Sequence, residues 1–311
     1  MNPSTLPSSP STRSGLVAII GVPNAGKSTL LNRLIGQKLS AVTAKPQTTR
    51  QKITGIRTDE DVQMVFLDTP GLLEPRNLLQ RGMLSAAREA AGEADVVIAV
   101  VDASAPGSRQ GRSILRELVA GREAKVVAAI SKTDHASPTQ VSQTQDWAQQ
   151  ILGVEPVRIS ASTGAGLDQL ISRVSALLPA SPFLYPADDL SSESVRFFTR
   201  ELIRETIFEQ YRQELPYSTV VEIGDFRESQ EPVYIQATIF VERKSQKGIV
   251  IGDKGSAIRD LGKAARAKIE ELIDRPVYLD LWIKVLPNWR KKKAALTRFG
   301  YRVPEDEPHD V

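Results

Sequence analysis

One octapeptide, Gly21-Val22-Pro23-Asn24-Ala25-Gly26-Lys27-Ser28, restricts what this chain can fold into more than any other stretch. An apolar run, Leu16 to Ile20, precedes it and reads as a buried strand, and Thr29 to Ile35 follows it and reads as a helix. A strand, a glycine-framed loop and a helix opened by Lys-Ser together form a phosphate cradle. Gly21 and Gly26 let the backbone curl until the N–H groups of Asn24, Ala25, Gly26, Lys27, Ser28 and Thr29 can face an anion. Lys27 brings a positive charge to the outer phosphates, Ser28 offers a hydroxyl to Mg²⁺, and the helix N-terminus adds its partial positive charge.

The segments that follow place this loop in a sheet. Gly36 to Lys52 is polar and aperiodic, a loop that carries Gln47-Thr48-Thr49-Arg50. Ile53 to Arg57 and Val62 to Leu67 predict strands separated by only four residues, too few for a helical crossover, so the pair is expected to be antiparallel. Strand and helix patterns then alternate: strand 95–101, helix 109–120, strand 125–130, helix 140–151, strand 156–159 and helix 166–178. This is an α/β domain with a mostly parallel sheet and one antiparallel edge strand.

In such a sheet, the loops at the carboxyl ends of the strands converge on the ligand. Asp68-Thr69-Pro70-Gly71 supplies a carboxylate for the Mg²⁺ shell, through water, and the Gly71 N–H for a γ-phosphate, whose loss releases the loop. A threonine hydroxyl from the preceding loop completes the metal shell; Thr49 is favoured by its place before Arg50, with Thr48 as the alternative. In Ser131-Lys132-Thr133-Asp134, the Asp134 carboxylate can accept from N1–H and the 2-amino group of guanine. Adenine has neither donor and would leave that carboxylate unpaired. Lys132 lays its stem over the base. In Ser160-Ala161-Ser162, a backbone N–H near Ala161 can reach the guanine carbonyl oxygen.

With 311 residues the chain has room for about two domains. It has no cysteine, which excludes disulfides and thiolate metal sites. Its two histidines, His135 in a loop and His309 in the acidic tail, are placed for neither a Ser/His/Asp triad nor a zinc site. Residues 1–14 are rich in Ser and Pro without a secretory apolar core, so they read as a disordered leader on a cytoplasmic protein. The net charge of +3 is uneven: residues 240–302 hold 16 basic and 7 acidic side chains, whereas 181–239 hold 5 and 11. A basic block of this kind points to a polyanionic partner.

That block belongs to a second domain. After a Pro/Ser/Asp-rich linker, residues 191–215 predict a helix, 219–226 and 233–242 strands, 256–273 a helix and 277–285 a strand. Between them lies Gly252-Asp253-Lys254-Gly255, with Lys244, Lys247, Arg259 and Lys263 around it. A GxxG at a helix N-terminus in an α-β-β-α-β frame resembles a KH domain, which clamps the backbone of single-stranded nucleic acid. Lys254 would face phosphate, and the apolar surface near Ile249 and Ile251 would receive bases. Arg290, Lys291, Lys292 and Lys293 are further phosphate-binding candidates, and Trp289 either stacks on a base or packs.

The five nucleotide-site segments in this order, with Gly-Val-Pro-Asn-Ala-Gly-Lys-Ser at 21–28, Pro-Gln-Thr-Thr-Arg at 46–50, Asp-Thr-Pro-Gly at 68–71 and Ile-Ser-Ala at 159–161, resemble the Era family of bacterial P-loop GTPases. The resemblance extends from Leu16 to Tyr301. It implies a GTPase domain over 15–180, a linker over 181–192, a KH RNA-binding domain over 193–302 and an acidic tail over 303–311. It also implies Mg²⁺ and GTP or GDP as ligands and the 3′ end of 16S rRNA, within the 30S subunit, as partner. A monomer with peripheral access to the inner membrane is expected, and Asn24 is a candidate for holding K⁺. Two positions depart from common GTPase patterns. Ser131 stands where the family has Asn, so a weaker brace on the cradle and lower guanine affinity are expected; an RNA-binding scaffold with uncoupled nucleotide binding is the alternative. Leu72 stands where many GTPases carry a water-orienting Gln, so slow intrinsic hydrolysis is expected.

Overall fold

The computed structural model describes residues 12–105, 108–120 and 125–304. These divide into two units: one contains the residues up to Ser40, Thr49–Glu74 and Ala86–Ser192, the other Ala41–Thr48, Pro75–Ser85 and the residues from Glu193 onward. The stretch read as one continuous domain thus lends two short segments to the second unit.

In the first unit, strands β1 (Arg13–Gly21), β2 (Ile53–Asp59), β3 (Val62–Asp68), β4 (Val96–Asp102), β5 (Lys125–Ser131) and β6 (Val157–Arg158) form a sheet in the order β2-β3-β1-β4-β5-β6. The β2–β3 pair is antiparallel and the other pairs are parallel. All seven residues of β4 are buried, which is why its sequence is a continuous apolar run rather than an alternation. Helices α1 (Lys27–Ile35), α2 (Leu78–Glu93), α3 (Arg109–Val119), α4 (Pro138–Leu152) and α5 (Leu167–Leu177) follow the strands; of α2, the residues up to Ser85 belong to the second unit and those from Ala86 to the first. The start of α4 precedes the expected Gln140 because Pro138 occupies its first turn and Ser137 and Gln140 form a reciprocal capping box.

One expectation is corrected here, and two features are new. β1 begins at Arg13, inside the supposed leader, and the Ser14 hydroxyl is buried against the Pro182 carbonyl; residues 1–11 and 305–311, with His309, lie outside the described residues. Helix α2 has no counterpart among the sequence predictions. The linker is pinned: buried Gln63 accepts the Leu184 and Tyr185 N–H groups at 2.8 and 2.9 Å, and Ile56 N–H donates to the Leu190 carbonyl at 2.8 Å. That last bond occupies a donor on edge strand β2 that would otherwise be open to pairing with another chain.

In the second unit, helices α6 (Val195–Gln210) and α7 (Leu215–Ser218) lead into β7 (Val220–Arg227) and β8 (Val233–Val241). Helix α8 (Lys244–Ile251), a turn over Asp253–Gly255, helix α9 (Ser256–Ile273), strand β9 (Val277–Val285) and helix α10 (Lys293–Arg298) complete it. The sheet order is β7-β8-β9, antiparallel then parallel. Its core joins Ile203 and Ile207 of α6, Ile235 and Ile239 of β8, and the four-residue-spaced stripe Leu261, Ala265, Ile269 of α9. Also inside this unit, Glu205 of α6 accepts the Val42 N–H at 3.0 Å, and Lys45 donates to the Phe208 and Tyr211 carbonyls at the end of α6.

Candidate nucleotide site and nucleic-acid interface

The cradle is built by close backbone approach. Gly26 has φ 94°, in the left-handed region. A Cβ on Gly71 would lie 2.6 Å from Pro23 Cα, so only glycine lets the Asp-Thr-Pro-Gly loop lie against the cradle. The Leu72 N–H donates to the Gly21 carbonyl at 3.0 Å, and the Thr69 hydroxyl donates to the Ile19 carbonyl at 2.8 Å, which stitches this loop to β1. Leu72 itself is buried and has no side-chain atom with which to orient water.

Lys27 is buried, and its ammonium donates to the Gly21 and Val22 carbonyls at 3.1 Å each. Burial pushes its pKa down to about 8, against the opposing pull of Asp68. Asp68 at the end of β3 is wholly buried; its Oδ2 accepts from Ser28 Oγ at 2.7 Å and Ser40 Oγ at 3.0 Å, while Oδ1 has no partner. Burial raises its pKa, with Lys27 and the hydroxyls opposing. The Thr49 hydroxyl lies 2.8 Å from that of Ser28, whereas Thr48 is turned to Thr43 at 2.7 Å and to the Lys45 carbonyl at 2.9 Å, within the other unit. One buried carboxylate with an orphaned oxygen and two adjacent hydroxyls suits a hard cation that takes oxygen ligands and completes its shell with water and phosphate. The donor set therefore fits Mg²⁺.

A cavity of about 250 Å³ adjoins the cradle, lined by Gly26, Thr29, Leu30 and Ser131 and by Lys132, Asp134, His135, Ile159, Ala161 and Ser162. The Ser131 hydroxyl donates to the Ala25 carbonyl at 2.6 Å and lies 3.3 Å from that of Val101. The Ser131 hydroxyl reaches the cradle because β5 brings residue 131 against Ala25. Lys132, at φ 55°, pairs with Asp102 at 2.7 Å. Asp102, at the end of β4, escaped the sequence reading. Although burial disfavours its charge, Lys132 and Ser104 hold its carboxyl below the usual range. Ser160, against slight desolvation, does the same for Asp134, whose Oδ2 lies 3.2 Å from His135 Nε2. Thr133 donates to the Ile159 carbonyl through its hydroxyl at 3.0 Å, tying this loop to the Ser160 loop.

In the second unit, Gly252, Lys254 and Gly255 all have positive φ, and a Cβ on Gly252 would meet Ala257 Cβ at 2.6 Å. The loop turns α8 directly into α9 and leaves Asp253 and Lys254 exposed, with the Lys254 carbonyl accepting from Arg259 at 3.1 Å. Ile249 is 58% exposed beside it, and Lys247 is half-buried. Lys291, Lys292 and Lys293 are exposed. Two candidates are corrected. Trp289 is wholly buried, donates from Nε1 to the Ser218 carbonyl at 2.8 Å and packs on Phe299 and Tyr301, so it cannot stack on a base. Arg290 pairs with Glu242 at 2.6 Å, so its charge is spent inside the fold.

Residues 16–145 match the family model described as 50S ribosome-binding GTPase, and residues 214–290 match the KH domain. The GTPase Era of Halothermothrix orenii is 40% identical over 293 residues, covering 94% of this chain and 99% of that protein. This chain belongs to the Era GTPase family. The GTPase Era of Geobacter metallireducens is 41% identical over 292 residues, covering 93% of this chain and 98% of its own. Among solved structures, a point variant of Aquifex aeolicus Era bound to GDP·AlF₄⁻ superposes with a TM-score of 0.88 at 34% identity, covering 94% of this chain and all of that one. An Era in complex with MgGDPNP and nucleotides 1506–1542 of 16S ribosomal RNA gives 0.89 at 35% identity, with the same coverage. The chain is a GTP hydrolase with a P-loop domain and a KH domain.

Proposed function

We propose that GTP hydrolysis in the first unit controls binding of the 3′ end of small-subunit rRNA by the GxxG unit, in maturation of the 30S subunit. One observation carries this reading: consecutive residues Thr48 and Thr49 fall in different units. Ala41–Thr48 is held on α6 through Val42 and Lys45, while the Thr49 hydroxyl stands on Ser28. A change at the outer phosphate therefore pulls on a segment anchored in the RNA-binding unit. The Era solved with 16S nucleotides 1506–1542 supports the choice of RNA.

Within the cradle, Lys27 and the N–H groups of residues 24–29 hold the phosphates. Asp134 selects guanine, Lys132 covers the base, and the Ser160-Ala161-Ser162 loop closes over its carbonyl edge. Ser28, Thr49 and, through water, Asp68 would hold Mg²⁺, which neutralises the developing charge on the phosphates when bound. With Leu72 buried, backbone groups or another residue position the attacking water, and Asn24 would help to hold K⁺ where other GTPases use an arginine finger. GTP turnover checks both residues. Thr49→Ala is expected to lower kcat by at least about tenfold while Thr48→Ala stays within about threefold, and replacing K⁺ by Na⁺ is expected to slow the wild type but not Asn24→Ala. Equal turnover in the two salts would remove the K⁺ assignment.

RNA affinity tests the GxxG assignment. Binding of a single-stranded oligonucleotide with the 16S 3′-terminal sequence is expected to fall steeply with salt, and Lys254→Ala to reduce the log–log slope by about 0.7, one phosphate contact. A slope unchanged in Lys254→Ala would contradict the clamp. No helix among the described residues is long and apolar enough to cross a membrane. A cytoplasmic monomer with peripheral membrane contact completes the proposal, checked by sedimentation with and without vesicles.

A further inference from the structure

Helix α9 starts at the GxxG turn, with Gly255 as its N-cap. Its stripe Leu261, Ala265 and Ile269 is buried in the core that also holds Ile203 and Ile207 of α6, so a displacement at one end of the helix is felt along its length. Lys268 stands about 18 Å along α9 from Ser256, outside every site assigned above. Its ammonium donates to Glu205 at 3.0 Å and to both oxygens of Glu209 at 2.7 Å. Burial opposes its charge, but the two carboxylates hold its pKa above the ordinary lysine value.

Glu205 of α6 has no exposed surface, and its two oxygens serve different elements. Oε2 accepts from Lys268 of α9, and Oε1 accepts the Val42 N–H at 3.0 Å. A carboxylate shut away from water keeps its charge and its place only while its acceptors are filled. The other buried cation of α6, Arg204, is taken up by Glu201. Withdrawing Lys268 leaves Glu205 to turn toward another donor or to take up a proton, and either change loosens its hold on Val42. Val42 lies in Ala41–Thr48, and the next residue is Thr49, whose hydroxyl lies 2.8 Å from that of Ser28.

We propose, on the coupling reading given above, that Lys268 is a positioning residue between the GxxG loop and the nucleotide site: α9 carries it, it holds Glu205, and Glu205 holds the backbone that leads to Thr49. Nucleic acid that shifts α9 from its N-terminal end alters the Lys268–Glu205 contact and with it the freedom of Thr49. By linkage, fixing Thr49 at the nucleotide site biases α9 in return.

The test uses the full chain loaded with GDP or with a non-hydrolysable GTP analogue and reads two quantities. One is the ratio of affinities for an oligonucleotide of 16S 3′-terminal sequence in the two states; the other is hydrogen-exchange protection of the Val42 amide. Lys268→Met is expected to cut the affinity ratio at least about threefold and to speed Val42 exchange at least about tenfold. Lys268→Arg, which keeps a donor for both carboxylates, is expected to retain both. Lys268→Met combined with Glu205→Gln replaces the buried pair by neutral groups and keeps an oxygen for Val42, so it is expected to restore the protection but not the ratio; this separates uncoupling from a merely weakened fold. A wild-type ratio that Lys268→Met leaves intact would overturn the proposal, as would unchanged Val42 exchange in that variant or a ratio restored in the double variant. A wild-type ratio of one would remove the coupling itself and the relay with it, a failure distinct from an intact coupling that ignores Lys268.

Discussion

Asp134→Asn is expected to lower GDP affinity by about 10²- to 10⁴-fold and to move preference to xanthine nucleotides. The carboxylate presents two acceptors to the two donors on the guanine edge. Each hydrogen bond to a charged acceptor contributes about 1.5–3 kcal/mol. An amide keeps one acceptor, now uncharged, for N1–H and turns a donor toward the 2-amino group, so one bond is weakened and the other is replaced by two donors facing each other. Xanthine carries a carbonyl at that position and restores the match. The supporting groups are unaltered, because Ser160, Thr133 and the Lys132–Asp102 pair are held by other contacts. Competition titration of GDP, XDP and ADP reads the result, and a variant that still prefers GDP would show that the base is read elsewhere.

Trp289→Ala is expected to destabilise the second unit by about 3–5 kcal/mol, the usual cost of truncating a large buried aromatic. Trp289 belongs to one buried cluster with Leu79, Met83, Val220, Phe240, Leu296, Phe299 and Tyr301. Its ring centroid lies 5.7 Å from that of Phe299, nearly perpendicular, and 6.4 Å from that of Tyr301, nearly stacked. Alanine leaves a cavity and strips the Ser218 carbonyl of its donor. Trp289→Phe keeps most of the ring and is expected to lose about 1–3 kcal/mol, chiefly the orphaned carbonyl. Denaturant unfolding followed by a signal from the second unit measures both. A near-neutral Trp289→Ala that nevertheless abolished RNA binding would return Trp289 to the RNA surface.

The nucleotide site was legible because its chemistry is written in short local segments. A glycine-framed loop between a strand and a helix admits few conformations, and each of the other loops follows a strand whose apolar run is unmistakable. What escaped depends on contacts across the chain. Asp102 reads as the ordinary end of a strand until β4 and β5 pair in register and bring it to Lys132. That the Ser131 hydroxyl reaches the Ala25 carbonyl is likewise set by how near β5 carries the residue to the cradle. Helix α2 was missed because much of its buried stripe is alanine, at 87, 90 and 91; Leu79, Met83 and Ala87, spaced by four, were the signal available. Helix α8 escaped because it is eight residues long, with only Val250 fully buried. Trp289 sits beside a run of lysines, which drew it toward the RNA side, whereas the rings of Phe299 and Tyr301 that bury it come from further down the chain.

The coupling of the two units is the point on which the proposed function stands or falls. The direct measurement is the affinity of the full chain for a labelled oligonucleotide of 16S 3′-terminal sequence, loaded in turn with GDP and with a non-hydrolysable GTP analogue, at constant Mg²⁺ and salt. At least about tenfold tighter binding in the GTP-like state, a coupling of about 1.4 kcal/mol, is the predicted result, and it should shrink in Lys45→Ala, which removes one of the two ties of Ala41–Thr48 to α6. Equal affinity in the two nucleotide states would contradict it and leave the chain an RNA-binding protein whose GTP hydrolysis serves some other end.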